Sequence, residues 1–264
     1  MHVSTHPGST PHNLIPVASR FFGSWHVSIG RRAYAPAELE AHYDRESGVW
    51  QTKIDTLGFE DAYQSLIRTA LQQEDCDVGT QSLRVLDAGI GTGAMSAAFS
   101  KLFRRKFQLV GIDVSSRMLD QARRRLSRTQ AQLQLHKADL GAIPYPDNSF
   151  DVVLVAHVLE HMPNPAAAMS ELLRVLKPGG LLIACITRRS LVGAYIQLKW
   201  RTHGIDIQSA LCGLRQSGFQ SVRAIPLDRR SATRLFSIGY VGRKPERLVS
   251  REKLPTLSGQ KRPW

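Results

Sequence analysis

The chain has 264 residues, 42% hydrophobic and 22% charged, with 35 Lys and Arg against 22 Asp and Glu and a formal net charge of +13. This length suits one substantial domain with appendages and is short for two catalytic domains, and the composition excludes wholesale disorder. The positive balance favours encounter with polyanions, whether nucleic acid, an anionic membrane or a phosphorylated substrate; a diffuse basic surface is its plainest meaning.

In chain order, residues 1–36 are rich in Pro, Gly, Ser, Thr and His without sustained period, which predicts a mobile or loosely docked arm. Its His2, His6 and His12 have no spacing that would bring their imidazoles together on a metal. From Ala37 to about residue 80, Leu39, Tyr43, Trp50, Ile54, Leu57, Tyr63, Leu66, Ile67, Ala70 and Leu71 recur at three- and four-residue spacing, predicting helices that cap the main sheet. The main domain is expected over residues 81–242. Within it, strands are predicted at Leu83–Leu86, Gln108–Ile112, Leu133–His136, Val152–Ala156 and Leu181–Ile186, alternating with helices at Ala94–Phe103, Ser116–Leu126 and Ala166–Leu176. Continuous Val, Leu and Ile runs belong to buried parallel strands, and the alternation specifies right-handed crossovers. An irregular basic and aromatic insertion occupies residues 187–204. A helix follows at Ile207–Gln216, stopped by Gly218, and strands Phe219–Ile225 and Leu235–Val241 close the sheet. Residues 243–264 read as a basic disordered tail.

Cys76, Cys185 and Cys212 form no C-x-x-C pair, so no disulfide framework or zinc knuckle is signalled and a reducing cytoplasm is expected. The N-terminal residues have no basic segment leading into an apolar one, and no run approaches the ~18 apolar residues of a membrane span. A protein neither exported nor membrane-spanning is the expectation.

The segment Val85-Leu86-Asp87-Ala88-Gly89-Ile90-Gly91-Thr92-Gly93 puts glycines directly after a strand and before a helix. Glycine permits the sharp turn and the close approach of a ligand, while the N–H groups of the following helix face it. Gly89, Gly91 and Ala94 satisfy G-x-G-x-x-G/A, a pattern that by itself does not separate NAD from S-adenosylmethionine. Two acids help to separate them. Asp87 ends the first strand where a carboxylate can meet a cationic ammonium directly or through water, and Asp113 ends the next at an interval from which an acid reaches ribose hydroxyls. Asp113 can equally cap the helix beginning at Ser116.

The runs VLDAGIGTG, GIDVSSRML, KADLGAIPYPDNSFDVVLVAHVLEHM and LRVLKPGGLLI occur in order between Leu83 and Gly180. Together they resemble class I S-adenosylmethionine-dependent methyltransferases, especially the group related to ubiquinone/menaquinone-biosynthesis methyltransferases. The resemblance implies a Rossmann-like three-layer α/β sandwich with a mostly parallel sheet closed by a C-terminal antiparallel hairpin. It implies S-adenosylmethionine as cofactor, with Gly89, Gly91 and Gly93 lining the methionine and ribose portions, Asp113 and the adjoining Val114 at the ribose, and Asp139 with Leu140 beside the adenine. Asp139 can alternatively serve only as a structural cap. Because the donor already carries a good leaving group, such an enzyme needs alignment and exclusion of water more than a set of catalytic side chains.

His157-Val158-Leu159-Glu160-His161 matches the H-x-x-E-H pattern of inverted zinc peptidases. Its place directly after a strand, and the Met162-Pro163-Asn164-Pro165 that follows, argue against the long helix such a zinc site needs, so no metal is expected. Similar sequences occur at this turn in the methyltransferase group. His157 is then the candidate proton acceptor at a strand end bordering a ligand crevice, with Glu160 and the acceptor-side His161 as weaker candidates. Tyr195 and Trp200 in the insertion, with Tyr43 and Trp50 from the N-terminal part, are candidates to cover the acceptor, and Arg188, Arg189, Lys199 and Arg201 to meet an anionic head group. An ordinary packed amphipathic helix is the alternative for the insertion.

Methyl transfer to a small-molecule or lipid-like acceptor is therefore expected, in the cytoplasm and with peripheral contact to an anionic membrane. Methylation of RNA or protein, favoured by charge, and cofactor binding without transfer are the alternatives.

Overall fold

The computed structural model describes residues 14–32, 38, 44, 56–73, 83–103, 105–162, 164–188, 205–228 and 231–246. Seven strands form one sheet: β3 (Arg84–Ala88), β4 (Phe107–Asp113), β5 (Ala131–Lys137), β6 (Phe150–Ala156), β7 (Leu176–Thr187), β8 (Gln220–Ile225) and β9 (Ser237–Arg243), in the order β5-β4-β3-β6-β7-β9-β8. The first five are parallel, whereas β9 enters antiparallel between β7 and β8. This is the three-layer, mostly parallel architecture expected from the sequence, with its C-terminal hairpin placed so that β9 rather than β8 adjoins β7.

Alternate residues of the central strands feed two cores. Val85, Leu109, Leu154 and Ile183 pack with helices α1 (Phe59–Gln73), α2 (Ala94–Leu102) and α3 (Ser116–Leu126). Leu86, Val110, Val153, Leu182 and Ala184 pack with α4 (Pro165–Val175) and α5 (Ile207–Gln216) on the other face. Burial on both faces removes any polar alternation, which is why these strands read as continuous apolar runs. The helix starts are chemically marked. Ser115, Asn164 and Asp206 accept hydrogen bonds from the N–H groups of Met118, Ala167 and Ser209, and Pro165 opens α4.

Helix α1 shares the core of the sheet. Its Phe59, Tyr63, Leu66, Ile67 and Ala70 are buried in one stripe. The contact with the sheet is so close that a Cβ on Gly239 of β9 would lie 2.2 Å from Leu66 Cδ1. Residue 80 therefore marks no boundary between cores. Within the stretch expected to be an aperiodic arm, β1 (Leu14–Phe22) and β2 (Trp25–Arg32) pair antiparallel in a sheet of their own. Gly23, at φ 60°, and Ser24 supply the two-residue turn. At the other end, Arg243 completes β9, and Lys244 Nζ donates to the carbonyls of Arg174 and Leu176, so order extends past the expected start of the tail.

From β3 the chain steps outward to β4 and β5, then returns to β6 on the other side of β3. That reversal is a topological switch point. The crevice outside the carboxyl ends of β3, β4 and β6 is where ligands bind in open α/β sheets.

Candidate cofactor cradle and acceptor-side turn

The loop between β3 and α2 sits at this crevice. Its glycines have positive φ, 75° at Gly89, 53° at Gly91 and 79° at Gly93, a region costly for most side chains. The N–H groups of Gly89 and Ile90 donate to the Ile112 carbonyl at 2.8 and 2.9 Å, anchoring the loop on the end of β4. A Cβ on Gly89 would lie 2.3 Å from Val158 Cγ2, and one on Gly93 would lie 3.3 Å from Ala122 Cα in α3. At Gly91 a Cβ would meet no atom within 4 Å. The first and third glycines thus permit close packing within the protein, and the middle one leaves an open face for a ligand.

Two carboxyl groups flank the loop. Asp87, 1% exposed, accepts a 2.6 Å hydrogen bond from Ser96 Oγ of α2. Burial pushes its pKa up to about 7; the Ser96 hydroxyl opposes the rise and the charge of Asp113 adds to it. Asp113 is half-buried at the end of β4. Its Oδ2 accepts from Gly91 N–H and its Oδ1 from Ser115 N–H, both at 2.9 Å. Burial raises it to about 6 against those hydrogen bonds, helped by Asp44, which accepts a 2.5 Å hydrogen bond from Ser115 Oγ. Ser115 caps α3; Asp113 instead fixes the cradle and keeps lone pairs to accept from hydroxyl groups. Val114 beside it is half-buried.

After β5, Asp139 is exposed and its Oδ1 accepts from Gly141 N–H at 2.7 Å, while Leu140 is buried in the core beneath it. The turn after β6 is a single 3-10 turn, Leu159–His161, not the long helix on which two histidines would share a face. Among the described residues no three His, Cys, Asp or Glu side chains are grouped to hold a metal.

His157 stands at this turn with φ 56° and is buried. Its Nδ1 lies 3.2 Å from Glu160 Oε1 and 3.0 Å from Thr187 Oγ1, and its Nε2 lies 3.7 Å from Cys185 Sγ. Burial opposes a charge on the ring, but the Cys185 sulfur and the Glu160 carboxylate outweigh it and raise its pKa to about 10. Burial likewise opposes the Glu160 charge, and His157 then holds that carboxyl down at about 2. Phe59 packs edge-on against the His157 ring at 5.2 Å and tilted against Phe236 at 5.7 Å, with Tyr63 beside them. A proton acceptor needs a free nitrogen facing its substrate; here both ring nitrogens face groups of the protein.

The structure therefore gathers Asp87, Gly89, Gly91, Gly93, Asp113 and Val114 at one crevice, with His157 and half-buried His161 along its β6 edge. Tyr43, Trp50, Tyr195 and Trp200 lie outside the described residues. Sequence pattern did not single out Ser96, Phe59, Glu160's partner Thr187, or Phe236. Of these only Phe59 carried a signal, four residues before Tyr63 on the same helical face.

Residues 86–184 match the family model described as a methyltransferase domain. Over 159 residues, 56% of each chain, the sequence is 33% identical to an uncharacterized methyltransferase of Schizosaccharomyces pombe. Over 102 residues it is 40% identical to the ubiquinone/menaquinone biosynthesis C-methyltransferase of Pseudomonas putida, covering 38% of this chain and 40% of that protein. The matches thus span only about half the length of these curated relatives. In fold, the chain is similar to an S-adenosylmethionine-dependent methyltransferase of Thermotoga maritima, with a TM-score of 0.57, 20% identity, and coverage of 78% of this chain and 99% of that one.

Proposed function

We propose that the chain, whose residues 86–184 match a methyltransferase-domain family model, transfers a methyl group from S-adenosylmethionine to a small-molecule or lipid-like acceptor. The observation that carries this reading is the glycine loop, which follows Asp87 and whose open face at Gly91 is tied through its N–H to Asp113. Two carboxyl groups raised by burial form a site that gains from a cationic ligand, and the donor carries both an ammonium and a sulfonium. Asp113 would accept from the ribose hydroxyls, Asp87 would face the amino-acid end directly or through water, and Asp139 with Leu140 would border the adenine. When bound, the cofactor supplies a methyl group on a sulfonium leaving group. The chain's own part is then alignment and the exclusion of water, to which the Phe59, Tyr63 and Phe236 wall contributes.

A lipid-like acceptor is supported by the resemblance to a ubiquinone/menaquinone-biosynthesis enzyme. The residues proposed to cover it are Tyr43, Trp50, Tyr195 and Trp200. Among the described residues no helix is long and apolar enough to cross a membrane; the contact with an anionic membrane proposed here is peripheral, made by the basic residues of the insertion.

Incubating the purified protein with methyl-labelled donor and fractionated cell extract tests the proposal. Label in the lipid or small-molecule fraction supports it. Label in RNA or protein, which the net charge of +13 would favour, transfers the reading to a macromolecular acceptor. Binding without transfer to any fraction leaves a cofactor-binding regulator. On the cofactor side, Asp113→Ala should weaken binding of S-adenosylhomocysteine by about 1–3 kcal/mol through lost charged hydrogen bonds. Unchanged affinity in the calorimeter, with a lowered melting temperature, would make Asp113 a structural residue only.

A further inference from the structure

The turn 157–161 contains a polar cluster that methyl transfer itself leaves without a task. Glu160 is 1% exposed, yet one of its oxygens holds two separate elements: Oε1 lies 3.2 Å from His157 Nδ1 on the turn and accepts at 3.1 Å from the Thr187 N–H at the end of β7. The other oxygen, Oε2, is buried without a hydrogen-bond partner. His157 is attached to β7 at three further points, through its backbone N–H to the Cys185 carbonyl at 2.8 Å, through Nδ1 to Thr187 Oγ1, and through Nε2 to Cys185 Sγ. Its backbone is in the left-handed region, where a side chain other than Gly or Asn persists only when its surroundings fix it. The next residue, Val158, projects onto Gly89, where a Cβ would overlap Val158 Cγ2. One chain of contacts thus runs from β7 through Glu160 and His157 to Val158 and the glycine loop.

A buried carboxylate is costly unless it is paired, and a buried ionic cluster is a poor source of stability when apolar residues could fill the space. A hydrophobic plug would serve packing alone. A charged group that ties two strand ends and a strained turn together serves geometry, and the geometry fixed here is the wall on which the cradle rests.

We propose that Glu160 is a positioning residue for the cofactor cradle: by holding His157 and Thr187 at once, it sets the turn whose Val158 supports Gly89. On this account His157 is a strut and takes no proton from the acceptor. The inference rests on the methyltransferase reading of the cradle.

The test compares the wild-type chain with Glu160→Gln and Thr187→Val in calorimetric titrations with S-adenosylhomocysteine, at a temperature where circular dichroism shows each folded. Glu160→Gln keeps the shape and an acceptor for Thr187 N–H but removes the charge, so it should bind about tenfold more weakly, the consequence of losing one buried charge-assisted hydrogen bond. Thr187→Val keeps the carboxylate and removes one contact to Nδ1, and should bind a few-fold more weakly. Ring ¹⁵N shifts of His157 should report an imidazolium in the wild type and a neutral ring in Glu160→Gln near neutral pH; Cys185 and Tyr63 are the other titratable groups facing the ring, and His161 acts on Glu160. A folded Glu160→Gln with wild-type affinity overturns the proposal, whatever its melting temperature. Should that variant not fold, wild-type affinity in a folded Glu160→Asp, whose shorter side chain cannot reach His157 Nδ1 and the Thr187 N–H together, overturns it equally. A wild type that binds no S-adenosylhomocysteine sinks the methyltransferase reading and this inference with it, whereas wild-type binding with unaffected variants sinks this inference alone.

Discussion

Glycines in one loop do different work, and substitution separates their roles. Gly91 faces open space and Asp is among the side chains that adopt its left-handed backbone, so Gly91→Asp should leave the fold nearly intact while placing a side chain and a negative charge on the open face proposed for the cofactor. Binding of S-adenosylhomocysteine should vanish with the circular dichroism spectrum unchanged; retained binding would refute the cradle. The acids around the loop carry a pH signature. A free Asp titrates near pH 4, and burial raises Asp87 to about 7. Between those values the folded chain keeps a proton that the unfolded chain has released, so the stabilising contribution is complete below about pH 4 and is lost as pH rises through about 7. Asp87→Asn, which can still accept from Ser96, removes this loss. Its stability relative to wild type should therefore grow by on the order of 4 kcal/mol between pH 4 and pH 8. Urea unfolding across that range checks the sign, and a difference that stays flat or shrinks would show that Asp87 titrates normally. Asp87 and Asp113 were legible in the sequence because both end apolar strands. The bond from Ser96 to Asp87 was not, since a serine on a helix has no pattern that distinguishes a buried hydroxyl from an exposed one.

At the scale of elements, the five parallel strands and the helices between them were legible to within a few residues, because double burial writes itself as Val, Leu and Ile runs separated by Gly and Asp turns. The hairpin of β1 and β2 was less so. Its Phe21-Phe22-Gly23-Ser24-Trp25 turn carries the two-residue signal, but Pro16 and the paired phenylalanines interrupt the alternation that would announce strands. The junction of α1 with β9 was invisible to local pattern, because Leu66 and Gly239 are far apart in sequence and meet only through topology. That junction is also what sets Phe59 and Tyr63 against His157. Gly239→Val should therefore push α1 away from the sheet and destabilise the chain by about 3 kcal/mol or more, as overpacking of a close contact does. An unfolding midpoint unchanged from wild type would show that α1 is only loosely docked.

For the molecule as a whole, the question is whether the charge of +13 is arranged to serve the crevice. Strands β4 and β5 reach the cradle side with their carboxyl ends, so the loops that lead into them lie at the opposite end of the sheet. Exposed Arg105, Lys106 and Arg128 stand in those loops. A polyanionic acceptor needs its cations beside the reacting atoms, because surface fields are screened beyond about 8 Å at physiological salt. This group of cations can raise general retention on anionic polymers or lipids without delivering an acceptor to the site. Charge reversal of Arg105, Lys106 and Arg128 together should accordingly weaken binding to RNA or anionic vesicles and flatten its salt dependence, as loss of phosphate-facing cations does. The affinity for S-adenosylhomocysteine and the turnover of a small acceptor should remain at wild-type values. If turnover instead falls in step with retention, the basic end takes part in presenting the acceptor, and a macromolecular substrate spanning both ends of the sheet becomes the better reading.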